Sequence, residues 1–422
     1  MRERGRARLL MAVGAILLAA APAAARVKLA TLPVRERVVI QLENGQHTLV
    51  EEERIVPLLK STAARGNNQI DFSWASTQID KATIQFRPLG IRESGRFRPI
   101  GKVGGQDEVA VISVAYPPNE NSLVWDVYAA ESCAVQVRVS YLLGNLTRSF
   151  SYRAQADKDE KFLGLRKFLE VHNQSGERYD TAELRAGFGP SSVKEVGQPE
   201  DTKILLQRFE RVPITKTFTF DWYANGPLNA EKPLCSKVLM HYALTNDRAN
   251  GLGQFPLQPG KVRIFIDHPP GGEAFLGEDR AEFTPLDGTM RLYLGEAQDI
   301  VCQRVIEKSQ RHPVNNNLVD QEVVLRYEIE NFKDKPVTLS IVEQINRVLP
   351  ELAQQSGQSL GDTHGEAQWE NGPSTDRRFR LTFEQGRAVP VLRVDLPARS
   401  KDPKAQVEKT VARFHFTLKN VW

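Results

Sequence analysis

Strict alternation of apolar and polar residues constrains this 422-residue chain more than any other feature. In "VQVRVSY", Val135, Val137, Val139 and Tyr141 fall on one side, with Gln136, Arg138 and Ser140 on the other. "TFTFDW" sets Phe218, Phe220 and Trp222 against Thr217, Thr219 and Asp221, and "RFRLTF" sets Phe379, Leu381 and Phe383 against Arg378, Arg380 and Thr382. "RFHFTLK" repeats the pattern with Phe414, Phe416 and Leu418. A period of two buries one face of a strand and wets the other, which is what packed antiparallel sheets need. Long 3.6-residue periods are almost absent. The expected fold is therefore all-β, built of tandem antiparallel, immunoglobulin-like β-sandwich domains with little helix.

The first 25 residues stand apart. Arg2, Arg4, Arg6 and Arg8 precede an apolar run from Leu9 to Ala21, and Ala23-Ala24-Ala25 offers a small-residue cleavage site. This is the pattern of a secretory signal peptide. The apolar run is shorter than the roughly 20 residues that a membrane-spanning helix needs, and no other stretch approaches that length. The expectation is a chain exported to the periplasm or beyond, cleaved near Ala25, with no transmembrane segment. The leader carries a net +3 of the +4 formal charge, so the remainder is near neutral. Nucleic-acid binding calls for a concentrated basic face, and none is present.

Polar, proline-bearing stretches suggest the boundaries. "YPPNENS" (116–122) would separate an N-terminal β-rich module (26–115) from a middle sandwich unit (123–190), and 187–203 would link that unit to a C-terminal sandwich domain (204–422). Within the last domain, 309–320 and 354–376 read as long loops. Three strands end on asparagine before a polar turn, at Asn173, Asn246 and Asn331. Asparagine suits that place because its side chain can hydrogen-bond the backbone two residues on.

Candidate chemistry is sparse. "FPLQPGKVRIF" (255–265) places Gly260 before Lys261, but a phosphate-binding loop needs G-x-x-x-x-G-K-[ST] followed by a helix. Here Gly253 is too distant, Val262 follows, and alternation resumes, so Pro259-Gly260 reads as a type II turn entering a strand. "GDTHGE" (361–366) would bring Asp362, His364 and Glu366 to one side if extended, which is the sharpest metal candidate and the basis of a metal-assisted hydrolase alternative. "FLGEDRAEFTP" gathers Glu278, Asp279 and Glu282 around Arg280 and reads as a hydrated turn with a local ion pair. No G-x-S-x-G occurs. His47, His172, His241, His268, His312 and His415 are scattered. Trp369 and Phe332, in expected loops, are candidate platforms for a carbohydrate-binding role. Of the three cysteines, Cys235 and Cys302 are the pair to bridge if any does, and Cys133 reads as a small buried hydrophobe. Asn145 and Asn173 lie in glycosylation sequons. No catalytic, cofactor or metal residue is assigned.

Several segments together resemble the bacterial "domain of unknown function 4139" family over about residues 123–422. They are the run from "VSYLLGNLTRSF" to "YDTAELRAGFG", the stretch "PLQPGKVRIF…FLGEDRAEF…LYLGEAQDI", and "YEIENFKDKPVTLSIVEQI". The resemblance implies an exported or envelope-associated β-sandwich protein and carries no catalytic residue across. Some relatives are called mucoidy inhibitors and hold a coiled coil ahead of this domain. This chain has no heptads there, only a β-like segment at 80–112. The expected role is a non-enzymatic interaction or scaffold protein of the periplasm or cell envelope, with an envelope protein or glycan as partner and no cofactor.

Overall fold

A computed structural model describes residues 25–421 apart from 30–34, 43–46, 63–67, 75–76, 119, 188, 224–234, 269–270, 316–317, 357–367, 385–386 and 401–405. The leader and the 361–366 motif lie outside the described residues. Among the described residues the fold is nearly all β, with one helix, Ile345–Ser356. The chain forms two compact units, one of residues up to Arg148 plus Val171–Thr202, the other of Ser149–Glu170 plus Lys203–Trp422.

The first unit packs a four-stranded sheet on a seven-stranded one. The smaller runs Ala25–Lys28, Asn68–Ser73, Ser122–Ala129, Val109–Ala115. The larger runs Ser192–Val196, Tyr179–Arg185, Arg37–Gln41, Thr48–Leu58, Cys133–Leu143, Ile79–Glu93, Arg96–Arg98. Aromatic rings bridge them: Phe72 meets Tyr141 at 5.7 Å between centroids, and Trp125 meets Phe86 at 4.9 Å. Val135, Val137, Val139 and Tyr141 are all buried, as the alternation predicts.

The second unit holds a five-stranded sheet and a nine-stranded one that includes Lys409–Val421, Val319–Asn331 and Thr289–Pro313. Phe379, on the strand at one edge of the nine-stranded sheet, stacks at 4.7 Å on Phe414, which lies one strand in from the opposite edge. The sheet therefore folds over on itself around a core containing Phe220, Tyr327, Phe414 and Phe416. The helix adds Ile345, Val348, Leu349 and Leu352 to that core. This is an i, i+3, i+4, i+7 stripe, short enough and, with Pro350 inside, irregular enough to escape a search for long helical periods.

Several details differ from expectation. Strand direction is mixed, because several pairs are parallel, among them Tyr179–Arg185 with Arg37–Gln41 and Leu146–Ala156 with Gly260–His268. Alternation reports which face is dry, not which way the neighbour runs. The expected boundary at 116–122 connects Val109–Ala115 to its own sheet neighbour, so both strands share one unit. The 187–203 linker contains Ser192–Val196, paired with Tyr179–Arg185. The 309–320 loop is mostly a long hairpin, with Ser309 opposite Val323 and Pro313 opposite Val319.

Gly260 is not the centre of a type II turn. It is already in the strand, opposite Ala281, and a Cβ there would come within 2.3 Å of the Phe150 carbonyl oxygen. Space, not a left-handed backbone, requires the glycine.

Candidate functional site

The asparagine pattern resolves into three buried clamps. Asn173 donates from Nδ2 to the carbonyls of Glu177 and Gly197, and Oδ1 accepts from Ser175 N–H. Asn331 does the same with Lys335, Pro397 and Lys333 N–H. Both carry the expected bond two residues on. Asn246 reaches further, to Phe255, Pro285 and the N–H of Gly253. These are structural devices, and complete burial of Asn173 leaves its sequon no room for a sugar in the folded chain.

A cleft of about 580 Å³ lies in the first unit, lined by Arg35, Glu52, Arg54, Trp74, Tyr141 and Arg178, among others. Its floor is a polar network. Glu52, 1 % exposed, accepts from Arg54 Nε and Nη2 at 3.0 and 2.8 Å and from the Tyr141 hydroxyl at 2.8 Å. Arg35 Nε lies 3.4 Å from the same carboxyl group. Tyr141 and Tyr179 hydroxyls are 3.2 Å apart, and Arg35 sits over the Tyr179 ring. Alternation aims these groups together, since Glu52 and Arg54 share one face of Thr48–Leu58 and Val50 of that strand opposes Tyr141. Burial, then the nearby Glu52 charge, drives the Tyr141 and Tyr179 pKa values up, so both stay protonated. Burial disfavours the Arg35 charge, but Glu52 and Glu177 outweigh it and hold the guanidinium protonated. Every acid–base group on the floor is engaged by another.

The second unit contains a similar constellation. Arg304 donates to both carboxyl oxygens of Glu343 at 3.0 Å and to Glu351 at 2.8 Å. Tyr327 donates to Glu343 and Tyr223 to Glu351, each at 2.6 Å. Trp222 and Tyr223 lie against the Arg304 guanidinium, 5.1 and 5.5 Å from ring centre to Cζ. Glu351 comes from the helix, which was not foreseen. Burial first, then Glu343, pushes the Tyr327 and Tyr223 hydroxyls up.

A third cluster joins two histidines that are far apart in the chain. His415 Nε2 is 3.0 Å from Glu322 Oε1, and His312 Nε2 is 2.8 Å from Glu322 Oε2. Ser374 Oγ lies 2.9 Å from His415 Nδ1. The Ser374 backbone N–H, which can only donate, also points at Nδ1, so Nδ1 carries the lone pair and Nε2 the proton. Hydrogen bonds from Lys308 and His312 hold the Glu322 carboxylate down at about 2. The order serine–histidine–glutamate is that of a hydrolase relay. However, the Ser374 N–H that an oxyanion hole would use is spent on the imidazole. Gly372 N–H and the Thr375 hydroxyl donate to the His415 carbonyl, and a Cβ on Gly372 would come within 2.2 Å of the His415 ring. The cluster fastens this turn to its strand.

Other sequence candidates disperse. Glu278 is on a strand, held below the usual carboxylate range by Lys261 and Arg263, while Asp279 accepts the Tyr293 N–H. The expected turn there is thus the strand Gly272–Ala281. Trp369 packs edge-on against Phe414 and Phe416 instead of facing a ligand, and Phe332 is 39 % exposed. Cys302 is buried opposite Ser236, and Cys235 is opposite Gln303, so the register does not oppose the two cysteines. Cys133 is half-buried rather than fully buried, and burial raises its thiol pKa. Among the described residues, no three His, Cys, Asp or Glu side chains are arranged to hold a metal, and no helix is long and apolar enough to cross a membrane. Comparison with family models and with curated proteins finds no match for this chain.

Proposed function

We propose that this chain is an exported interaction protein of the cell envelope that recognises a hydroxyl-rich ligand, a glycan, in the cleft of its first unit, without catalysis. The carrying observation is the cleft itself. Its floor groups saturate one another, while Trp74, Ser73, Thr181, Arg178 and Asp180 line its walls. Fixed donors and acceptors beside an aromatic ring recognise sugars. The leader and the resemblance to the "domain of unknown function 4139" family support the envelope assignment.

The test is titration of the full protein against purified envelope glycans by calorimetry, repeated with Arg178→Ala and Thr181→Val at the rim. Saturable binding weakened about tenfold or more by either substitution is the expected result. No binding to any glycan fraction, or binding indifferent to both changes, overturns the reading.

A further inference from the structure

Eight strands close the four larger sheets, and seven of them carry an exposed charge. Lys28, Arg96, Lys194, Arg208, Arg280, Glu370 and Arg380 mark these seven edges. Charged side chains at an edge discourage other strands from adding to it, because the added strand would have to desolvate them. The eighth edge, Val109–Ala115, reads VAVISVA and has no charge at all. Among the described residues its outer side has no strand neighbour.

This strand is also exposed on both faces from Val111 onward. Val111 is 38 % exposed, Ile112 48 %, Val114 44 %, and Tyr116 just beyond the strand 50 %. Contiguous uncharged β-branched residues on an open edge are what strand addition requires. One protective device is present. Ser113 opposes Asp126 and Val111 opposes Val127, so Ile112 is the extra residue of a bulge. The bulge bends the strand, increases its local twist and leaves Ile112 without a partner in Ser122–Ala129.

We propose that Val109–Ala115 pairs antiparallel with the same strand of a second copy of this chain, across a two-fold axis at Ile112. A run with no charge can face its own copy without repulsion, which points to that occupant. About Ile112, Val111 meets Ser113, Ala110 meets Val114 and Val109 meets Ala115, so no two charges oppose. At the flank Glu108 would meet Tyr116, and the Glu108 carboxylate is already neutralised by Arg98 at 2.6 Å. Prolines 117 and 118 end the pairing on one side. So short an interface sits at the small end of specific contacts, with a dissociation constant on the order of micromolar.

The test is light scattering behind size exclusion, from about 1 to 100 µM, on the full chain, its Ile112→Lys variant and a Lys28→Ala variant at the opposite edge of the same sheet. A mass rising to twice that of the monomer, abolished by Ile112→Lys and kept by Lys28→Ala, is expected. Because residue 112 opposes itself across the axis, Ile112→Cys should form an interchain disulfide under mild oxidation, well above the background of the native cysteines. A protein monomeric throughout the range, or a dimer that Ile112→Lys leaves intact, overturns the proposal. Circular dichroism of each variant separates lost pairing from lost fold.

Discussion

The two units each bury a glutamate, an arginine partner and tyrosine hydroxyls, yet the two networks meet water differently. Around Glu343, the Arg304 guanidinium is roofed by Trp222, Tyr223 and the helix that supplies Glu351. Around Glu52, no helix lies over the network among the described residues, and the network forms the floor of a cleft. The same chemistry is thus a core element in one place and a candidate recognition surface in the other.

The comparison can be broken, and the largest effect should come from the sealed network. Arg304→Met leaves Glu343 buried without its cation and should cost about 3–5 kcal/mol, whereas Arg304→Met with Glu343→Leu should recover most of that loss. Calorimetric unfolding of both variants measures it. If the single and double variants are equally unstable, burial of an uncompensated charge is not what matters there. Glu52→Gln should cost less, about 1–3 kcal/mol, because the amide oxygen can still accept a hydrogen bond from Tyr141 or Arg54. Equal losses at the two sites would erase the distinction between sealed and open.

A smaller effect concerns pH. Glu322 titrates at about 2 in the folded chain against a usual 4.5. Its depressed pKa adds stability that is complete above pH ~4.5 and is lost as pH falls toward ~2. Melting temperature followed from pH 6 to 2 should drop through that window, and less steeply in Glu322→Gln. The smallest effect should be Tyr179→Phe, about 0.5–1.5 kcal/mol for one hydroxyl pair. Urea titration resolves it, and a larger cost would mean that the Tyr179 hydroxyl supports the cleft floor more than its single 3.2 Å contact suggests.

Much of this architecture could be read from residue order. Alternation located Cys133–Leu143, Thr215–Asp221 and Lys409–Val421, and the asparagine turns at 173 and 331 work by the bond expected of them. The sites were far less legible. Glu52, Tyr141 and Tyr179 meet only because three strands from distant parts of the chain align, and nothing local marks Glu52 as buried. Arg304 shares its strand face with the buried Ile300 and Cys302, but nothing in the sequence pairs it with Glu343 and Glu351. Gly372 and His415 show the same limit, since their contact depends on a turn whose Thr375 bonds the strand residue His415, 40 positions on in sequence. The one local clue was a histidine set between two buried phenylalanines.

The parallel pairing of Arg37–Gln41 with Tyr179–Arg185 has a kinetic consequence. The first unit's larger sheet cannot be completed until Tyr179–Arg185 and Ser192–Val196 have been synthesised, by which time part of the second unit already exists. Strands waiting that long for a partner must close a large loop first, which slows folding and prolongs exposure of their apolar faces. A chain stopped at Arg148 would therefore be an unfinished sheet rather than an isolated domain. The two units are interleaved in time as well as in sequence.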